Sequence, residues 1–184
     1  MIARRLFLVG FAAALLTAFG CSSSGGGTPS PALACSDGGA AAANAVTMSC
    51  GGATDSTTEQ VDAVMGGPVS GSTTLRGLNF DVTYDSSKLD FVPAGTYTSP
   101  LFPNALIAVT LSNGQPGRVV VSIQRVGGDP DVTVTAGQHI VLSLSFRRAA
   151  GTTFGPTPLT FENAEATSAS AAISFASGLA LSYR

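Results

Sequence analysis

The feature that most constrains the fold is a strict alternation of apolar and polar residues that ends in a polar corner. Residues 78–84 read LNFDVTY, with Leu, Phe, Val and Tyr on one side and Asn, Asp and Thr on the other. A period of two is typical of a β-strand with one buried face. Asp85 to Lys88 then favour a turn, because an Asp side chain accepts backbone N–H bonds there. Leu89 and Phe91 return apolar side chains to the same core.

Segments with this period recur from Ala45 to the C-terminus, separated by Gly, Pro and Asn-Gly turn signals. Helical periodicity is nearly absent, and only residues 163–171 are ambiguous between helix and strand. The pattern predicts an all-β domain, a nine-stranded antiparallel jelly-roll β-sandwich. In the segment 139–147 we expect Ile140 to point inward. The predicted core consists of Phe80, Tyr84, Leu89, Phe91, Val121, Ile123, Leu142, Leu144, Phe146, Leu159 and Phe161.

The N-terminus predicts an export signal. Arg4-Arg5 precede an apolar run over residues 6–19. The run is shorter than the roughly 20 residues that a membrane-spanning helix needs, and it fits a secretory signal peptide. Gly20 directly before Cys21 resembles the acylation site of bacterial lipoproteins. Small residues at the same positions equally fit ordinary cleavage at this bond, so Cys21 is either lipidated or simply the first mature residue.

These features divide the chain into three parts. Residues 1–20 are the predicted lipoprotein signal peptide, residues 21–44 a Ser/Gly/Pro/Ala-rich tether, and residues 45–184 the β-sandwich domain. We expect an exported protein that is anchored in the cell envelope only through lipid on Cys21. Ser22 after this cysteine favours the outer membrane of a Gram-negative bacterium.

Cysteine parity predicts one disulfide. The chain has three cysteines, Cys21, Cys35 and Cys50. If Cys21 carries lipid, the other two form an even pair in an oxidising compartment. We therefore expect a Cys35–Cys50 bridge, with two unpaired thiols as the alternative.

Composition argues against two kinds of ligand. The formal net charge is −2 even with Arg4 and Arg5 included, so we expect no basic surface for nucleic acid. Trp is absent and there are three Tyr residues, of which only Tyr97 is expected on a loop. A stacking site for sugar would therefore depend on Tyr97.

Catalysis has little support. His139 is the single His, it begins a strand, and no G-x-S-x-G pattern supplies a nucleophile. Asp129 with Asp131, and Glu162 with Glu165, are near neighbours, whereas glycosidases place two carboxyls across a bond from separate segments. The first pair also has too few oxygen ligands for Ca²⁺ by itself. We predict no enzyme, no catalytic residue and no cofactor, with Ca²⁺ as an open alternative.

Three segments resemble the cohesin family in their order and spacing. They are FDVTYDSSKLDF from residue 80, HIVLSLSFRRAAGTT from residue 139 and GPTPLTFENAEATS from residue 155. The resemblance covers about residues 45–184 and implies a protein-binding module that recognises dockerin-like partners, with a link to polysaccharide breakdown. The family's contact face uses outward residues of the strand before the Tyr-Asp corner. The corresponding positions are Asn79, Asp81 and Thr83.

Two other functions remain open at this stage. The first is a carbohydrate-binding module of the same fold, which would bind polysaccharide through Tyr97. The second is a structural envelope domain without a ligand, in which Asn79, Asp81 and Thr83 form a solvated sheet face. Because fold does not determine function, the resemblance alone does not decide between them.

Overall fold

The computed structural model describes residues 33–55, 57–150 and 155–183. The predicted signal peptide and the lipidation site Cys21 lie outside this part of the chain. Among the described residues no helix has the length and hydropathy to cross a membrane. The described strands are β1 Leu33–Ser36, β2 Ala45–Ala53, β3 Thr58–Gly66, β4 Ser72–Leu75, β5 Gly77–Thr83, β6 Leu89–Val92, β7 Leu106–Leu111, β8 Arg118–Gln124, β9 Val132–Thr135, β10 Gln138–Arg148, β11 Thr157–Thr167, β12 Ser174–Ala176 and β13 Leu179–Tyr183.

The strands form two facing sheets and a small ribbon. The six-stranded sheet has the order β1-β13-β11-β5-β8-β7, and the five-stranded sheet has the order β12-β2-β3-β10-β6. Strands β4 and β9 pair separately. The all-β sandwich expected from the sequence is confirmed. The described strands number more than the nine predicted, because the short strands β1 and β12 extend the edges of the two main sheets and β4 and β9 form the separate ribbon. One of these, β12, runs parallel to β2, so the sandwich is not purely antiparallel.

The core lies between the two sheets and contains the predicted aromatic residues. Phe80 and Phe146 are 1% and 0% exposed. The ring of Tyr84 meets Phe146 edge to face, with centroids 5.2 Å apart, and Phe91 lies 5.7 Å from the same ring. Side chains from both sides of the Tyr-Asp corner thus pack on one residue of β10, Tyr84 from the facing sheet and Phe91 from the neighbouring strand β6. Nine of the eleven predicted core residues are buried, whereas Tyr84 and Phe161 are partly buried and pack against them.

The corner has the turn chemistry that the sequence indicates. The Asp85 carboxylate accepts the backbone N–H of Ser87 at 3.0 Å and its hydroxyl at 2.6 Å. These hydrogen bonds lower the pKa of Asp85. Gly117, directly before β8, holds the corner in place, because its carbonyl accepts the Tyr84 amide at 2.8 Å. The corner therefore connects β5 to β6 at a fixed position.

Strand β10 contradicts one expected orientation. Ile140, predicted to point inward, is 41% exposed. The pairing of β10 with β3 shifts between Ile140 and Leu142. A bulge adds one residue to one strand, and residues before it therefore point to the opposite face. Leu142 and Leu144 remain buried as predicted.

The N-terminal boundary of the domain differs from the prediction. Strand β1 lies within residues 21–44, which were predicted as tether, and pairs antiparallel with β13. The predicted Cys35–Cys50 disulfide is present and joins Cα atoms 5.7 Å apart, from β1 to β2. Because β1 belongs to the six-stranded sheet and the disulfide joins it to the five-stranded sheet, Leu33–Ser36 is part of the folded domain. Residues 163–171 form no helix, since β11 continues to Thr167.

Candidate functional site

The candidate site is the solvent side of four neighbouring strands, β11, β5, β8 and β7. Residues that pair directly across antiparallel strands share a face, so the register defines the members. We call this surface the outer face. It consists of Thr160, Glu162, Glu165 and Thr167 on β11, Gly77, Asn79, Asp81 and Thr83 on β5, Arg118, Val120, Ser122 and Gln124 on β8, and Leu106, Ala108 and Thr110 on β7.

Asn79 lies at the centre of the outer face and is fully engaged. Its amide donates to Glu165 Oε1 at 3.0 Å. Its carbonyl oxygen accepts the Ser122 hydroxyl at 2.7 Å and lies 3.5 Å from Gln124 Nε2. These contacts connect three strands through one side chain. The residue therefore orders the surface and has little hydrogen-bonding capacity left for a partner.

Asp81 is also held within the surface. It is only 6% exposed and accepts from Arg118 Nε at 3.0 Å and from Asn163 Nδ2 at 2.8 Å. Arg118 Nη2 contacts the same oxygen, and this hydrogen bond raises the pKa of Arg118. Arg118 also reaches Glu162 at 3.6 Å. The carboxylate and the guanidinium therefore lie in direct contact within the surface.

The remaining predicted residues behave differently from one another. The hydroxyls of Thr83 and Thr160 lie 2.5 Å apart across β5 and β11. Tyr97 follows β6, packs on the core and is half-buried. Its hydroxyl accepts the Ala94 amide at 2.9 Å. The structure thus brings Asn79, Asp81 and Thr83 together, while no described contact joins Tyr97 to them.

An apolar margin borders the polar centre on the β7 side. Leu106 is 67% exposed and Val120 is 37% exposed. Ala108 lies between them in the pairing with β8. Leu106, Ala108 and Ser122 contribute to a shallow hollow of about 400 Å³. A contiguous exposed apolar patch that is rimmed by polar residues is a feature of protein-binding surfaces.

The opposite margin is acidic. Glu162 and Glu165 both belong to the outer face although they are three residues apart, because the register of β11 shifts between them. Asn163 in the bulge has φ 46°. The four strands carry three carboxylates, Asp81, Glu162 and Glu165, against the single guanidinium of Arg118. The outer face therefore has a net negative charge.

The other titratable candidates lie elsewhere. Asp131 pairs with Arg76 at 3.1 Å and so connects its loop to the β4–β5 junction, whereas Asp129 pairs with Arg125 of its own loop at 3.4 Å. No cluster of three or more His, Cys, Asp or Glu suited to a metal ion occurs among the described residues. His139 Nε2 lies 2.9 Å from the Thr135 carbonyl oxygen.

Sequence reasoning did not select Leu106, Val120, Glu162 and Glu165 as site residues. A usable signal existed for Val120, because the alternation in β8 assigns Val119, Val121 and Ile123 to the core and so places the residues between them outside. The Glu residues gave no such signal, since a regular strand would point them to opposite faces.

No model of a known protein family matches the chain, and no curated protein matches it. Solved structures do match, and three cohesin domains among them each overlap 73% of this chain. The sixth cohesin of scaffoldin B from Acetivibrio cellulolyticus, crystallised in complex with the Cel5 dockerin, is 15% identical, with 94% of its chain covered and a TM-score of 0.54. The seventh ScaB type I cohesin from Pseudobacteroides cellulosolvens is 14% identical, with 88% covered and a TM-score of 0.51. The solution structure of CaCohA2 from Clostridium acetobutylicum is 19% identical, with 87% covered and a TM-score of 0.51. The domain therefore has the cohesin-like β-sandwich fold that the sequence resemblance implied.

Proposed function

We propose that this protein is a non-enzymatic, protein-binding module of the cell envelope, and that its outer face binds a helical partner of the dockerin type. The observation that carries the proposal is the juxtaposition of an exposed apolar margin with an acidic margin on one four-stranded surface. The polar side chains between the two margins already hydrogen-bond to one another, so they present a rigid surface to the partner.

The apolar margin supplies the area that binding requires. Leu106 and Val120 lie on adjacent strands and are 67% and 37% exposed. Burying apolar surface contributes about 25 cal/mol per Å², and protein interfaces concentrate this contribution in a few central side chains. A helix with an apolar stripe would cover Leu106, Ala108 and Val120 together.

The acidic margin specifies the charge of the partner. Glu162 is half-exposed at its side chain, and Glu165 is exposed beside Asn79. Like charges brought together across an interface disfavour binding, whereas complementary charges increase the association rate. We therefore expect a partner with Lys or Arg beside its apolar stripe, and an affinity that falls as salt concentration rises.

The fold agrees with this role but does not specify the partner. The Acetivibrio cellulolyticus cohesin of the same fold is known in complex with a dockerin, and sheet sandwiches of this fold also carry unrelated functions. The proposal includes a signal peptide, a lipid anchor at Cys21 and a tether that ends before Leu33, which would hold the domain away from an outer membrane. A role in polysaccharide breakdown would follow from a dockerin-bearing enzyme as partner.

A matched pair of variants tests the outer face. Val120→Arg places a cation in the apolar margin, and Val69→Arg makes the same change at a residue that is 89% exposed and precedes β4. Dockerin modules encoded by the same genome are titrated against the immobilised chain. We expect Val120→Arg to weaken binding at least about tenfold, as for a central interface residue, with Val69→Arg unchanged. Equal binding by both variants would contradict the proposed face.

The same preparation discriminates the carbohydrate alternative. The half-buried ring of Tyr97 and its bonded hydroxyl leave little aromatic surface for stacking on sugar. We expect no retention on insoluble polysaccharide. Retention that disappears in Tyr97→Ala would support a carbohydrate-binding module instead.

A further inference from the structure

A second cavity lies on the opposite side of the sandwich, on the solvent side of the five-stranded sheet. We call it the Asp62 cavity. It has a volume of about 470 Å³, within the range of roughly 300–1,000 Å³ typical of small-ligand sites. It is lined by the segment 39–41, by Ser49, Asp62 and Val64 of β2 and β3, and by Gln138 and Ile140 of β10.

One wall of the cavity is held rigidly by a side-chain clamp. The Gln138 amide accepts the Ala41 backbone N–H at 2.9 Å and donates to the Ala41 carbonyl at 2.9 Å. Both polar groups of Gln138 are thereby used. The segment from Gly39 to Ala41 is fixed against the sheet, and its alanine methyl groups form an apolar wall.

The β10 bulge supplies the facing wall. It turns Ile140 out of the core, where the side chain is 41% exposed. Val64 pairs directly with Ile140 in the neighbouring strand and is 8% exposed. The cavity thus has aliphatic sides on β3, β10 and the clamped segment, suited to a hydrocarbon stem.

The polar end of the cavity contains a buried carboxylate. Asp62 is 8% exposed. Its Oδ1 accepts from the Ser143 hydroxyl at 2.6 Å and from Gln60 Nε2 at 3.0 Å. Within residues 33–55, 57–150 and 155–183, Oδ2 has no hydrogen-bond partner and Asp62 makes no ion pair. This oxygen is not among the fully buried side-chain atoms that lack a partner, so it is accessible to solvent and can accept a hydrogen bond from a ligand in the cavity.

Because of the direction of the surrounding hydrogen bonds, the polar end of the cavity offers oxygen atoms that can accept hydrogen bonds. Ser49, the register partner of Asp62, donates its hydroxyl to Asp37 Oδ2 at 3.0 Å. Asp37 is oriented by the Cys50 and Gly39 amides at 2.8 and 3.1 Å. The Ser49 hydrogen is thus committed, and its lone pairs are available. The Ser49 hydroxyl oxygen and Asp62 Oδ2 are therefore the acceptors that this end of the cavity presents to a ligand.

We propose that the Asp62 cavity binds the side-chain ammonium of a lysine from a partner protein. A lysine combines an aliphatic stem with a donor-only cationic head, which matches the aliphatic walls and the acceptors Asp62 Oδ2 and Ser49 Oγ. A guanidinium fits less well, because its fork prefers two oxygens of one carboxylate, and Asp62 Oδ1 is already occupied. Ca²⁺ requires six to eight oxygen ligands. This site is independent of the outer face.

The test is a titration of the full ¹⁵N-labelled chain, kept in mild detergent because of its apolar residues 6–19. The probes are Nα-acetyl-lysine methylamide, its norleucine and arginine counterparts, and CaCl₂. We expect saturable shifts of the Ser49, Asp62 and Ile140 amide signals with the lysine probe, and an affinity at least about tenfold higher than for norleucine. Asp62→Asn should remove this preference, and Asp90→Asn, which changes an exposed acid of β6 paired with Arg147, should keep it.

Each of the following results, measured with the unmodified chain, would overturn the proposal. Equal affinity for the lysine and norleucine probes would show that the carboxylate is not used. Tighter binding of the arginine probe would assign the cavity to a guanidinium. Stronger displacement of the lysine probe by CaCl₂ than by NaCl at equal ionic strength would assign it to Ca²⁺. Absence of shifts at these signals up to high millimolar lysine probe would exclude an ammonium site.

Discussion

Asp81 on β5 and Arg118 on β8 form an ion pair that lies within the outer face, with Asp81 Oδ2 accepting from Arg118 Nε at 3.0 Å. The two side chains are 9% and 20% exposed. Asn163 of β11 donates to the same oxygen at 2.8 Å. One carboxylate oxygen therefore joins three adjacent strands, and the exposed residues around it are held in place by this contact.

Removing the charge of Asp81 should destabilise the domain. In Asp81→Asn, the mostly buried Arg118 guanidinium loses the closer of its two carboxylate partners and keeps only Glu162 at 3.6 Å. Hydrogen bonds to charged groups contribute about 1.5–3 kcal/mol, so we expect the free energy of unfolding in urea to fall by about 2 kcal/mol. Adding Arg118→Gln should recover part of the loss. A double variant with fully additive losses would contradict coupling of the pair.

Glu59 should make stability depend on pH. Its side chain lies on the core side of β3, opposite Phe146, and is 5% exposed. Burial raises the pKa of Glu59. The folded state then binds the proton more tightly, so stability is greatest below the unfolded pKa near 4.5 and decreases as pH rises through the folded value. Glu59→Gln should therefore be more stable than the parent chain at pH 7 and equal to it near pH 4. A gain of the same size at both pH values would contradict the burial effect.

The disulfide should stabilise the N-terminal edge. Cys35 and Cys50 are 15 residues apart in sequence, and a loop of this length corresponds to about 3 kcal/mol in the chain-entropy account. The double variant Cys35→Ser/Cys50→Ser should lose about this much free energy of unfolding. Hydrogen exchange should increase first in β1 and β13, which pair with each other. Unchanged exchange in β1 would contradict its dependence on the bridge.

Two glycines with similar backbone angles should respond unequally to Ala. Gly117 and Gly114 have φ of 84° and 79°. A Cβ on Gly117 would lie 2.2 Å from the Tyr84 carbonyl oxygen, whereas one on Gly114 would meet nothing within 4 Å. Gly114→Ala should cost about 1 kcal/mol for the left-handed backbone alone. Gly117→Ala should cost at least about 2 kcal/mol, because the corner must also shift. Equal losses in thermal unfolding would contradict the close approach.

The core was predictable wherever a strand is regular. In β5 and β8 every second residue faces inward, so the alternation identified Phe80, Val121 and Ile123 as buried. Ile140 was predicted wrongly, because Ile140, Val141 and Leu142 are all apolar and their sequence gives no sign of a bulge. Nor does a four-residue strand at Leu33 reveal that its partner is the far end of the chain.

The site was predictable only in part. The resemblance located β5 and hence Asn79, Asp81 and Thr83. Arg118, Glu165 and other neighbours already hydrogen-bond to these side chains. These contacts depend on the strand order, which the sequence does not reveal. The acidic margin depends on the β11 bulge, which brings Glu162 and Glu165 to one face.

Site-specific photo-cross-linking tests the central claim most directly. A benzophenone amino acid replaces Ala108, within the apolar margin of the outer face, and in a matched chain it replaces Val69. Both chains are expressed in the native cell and irradiated, and adducts are identified by mass spectrometry. The account predicts one discrete protein adduct from position 108, with a cross-linked basic segment, that is lost when Val120→Arg is added. Adducts of equal yield from both positions, or none from position 108, would contradict a binding role for the outer face.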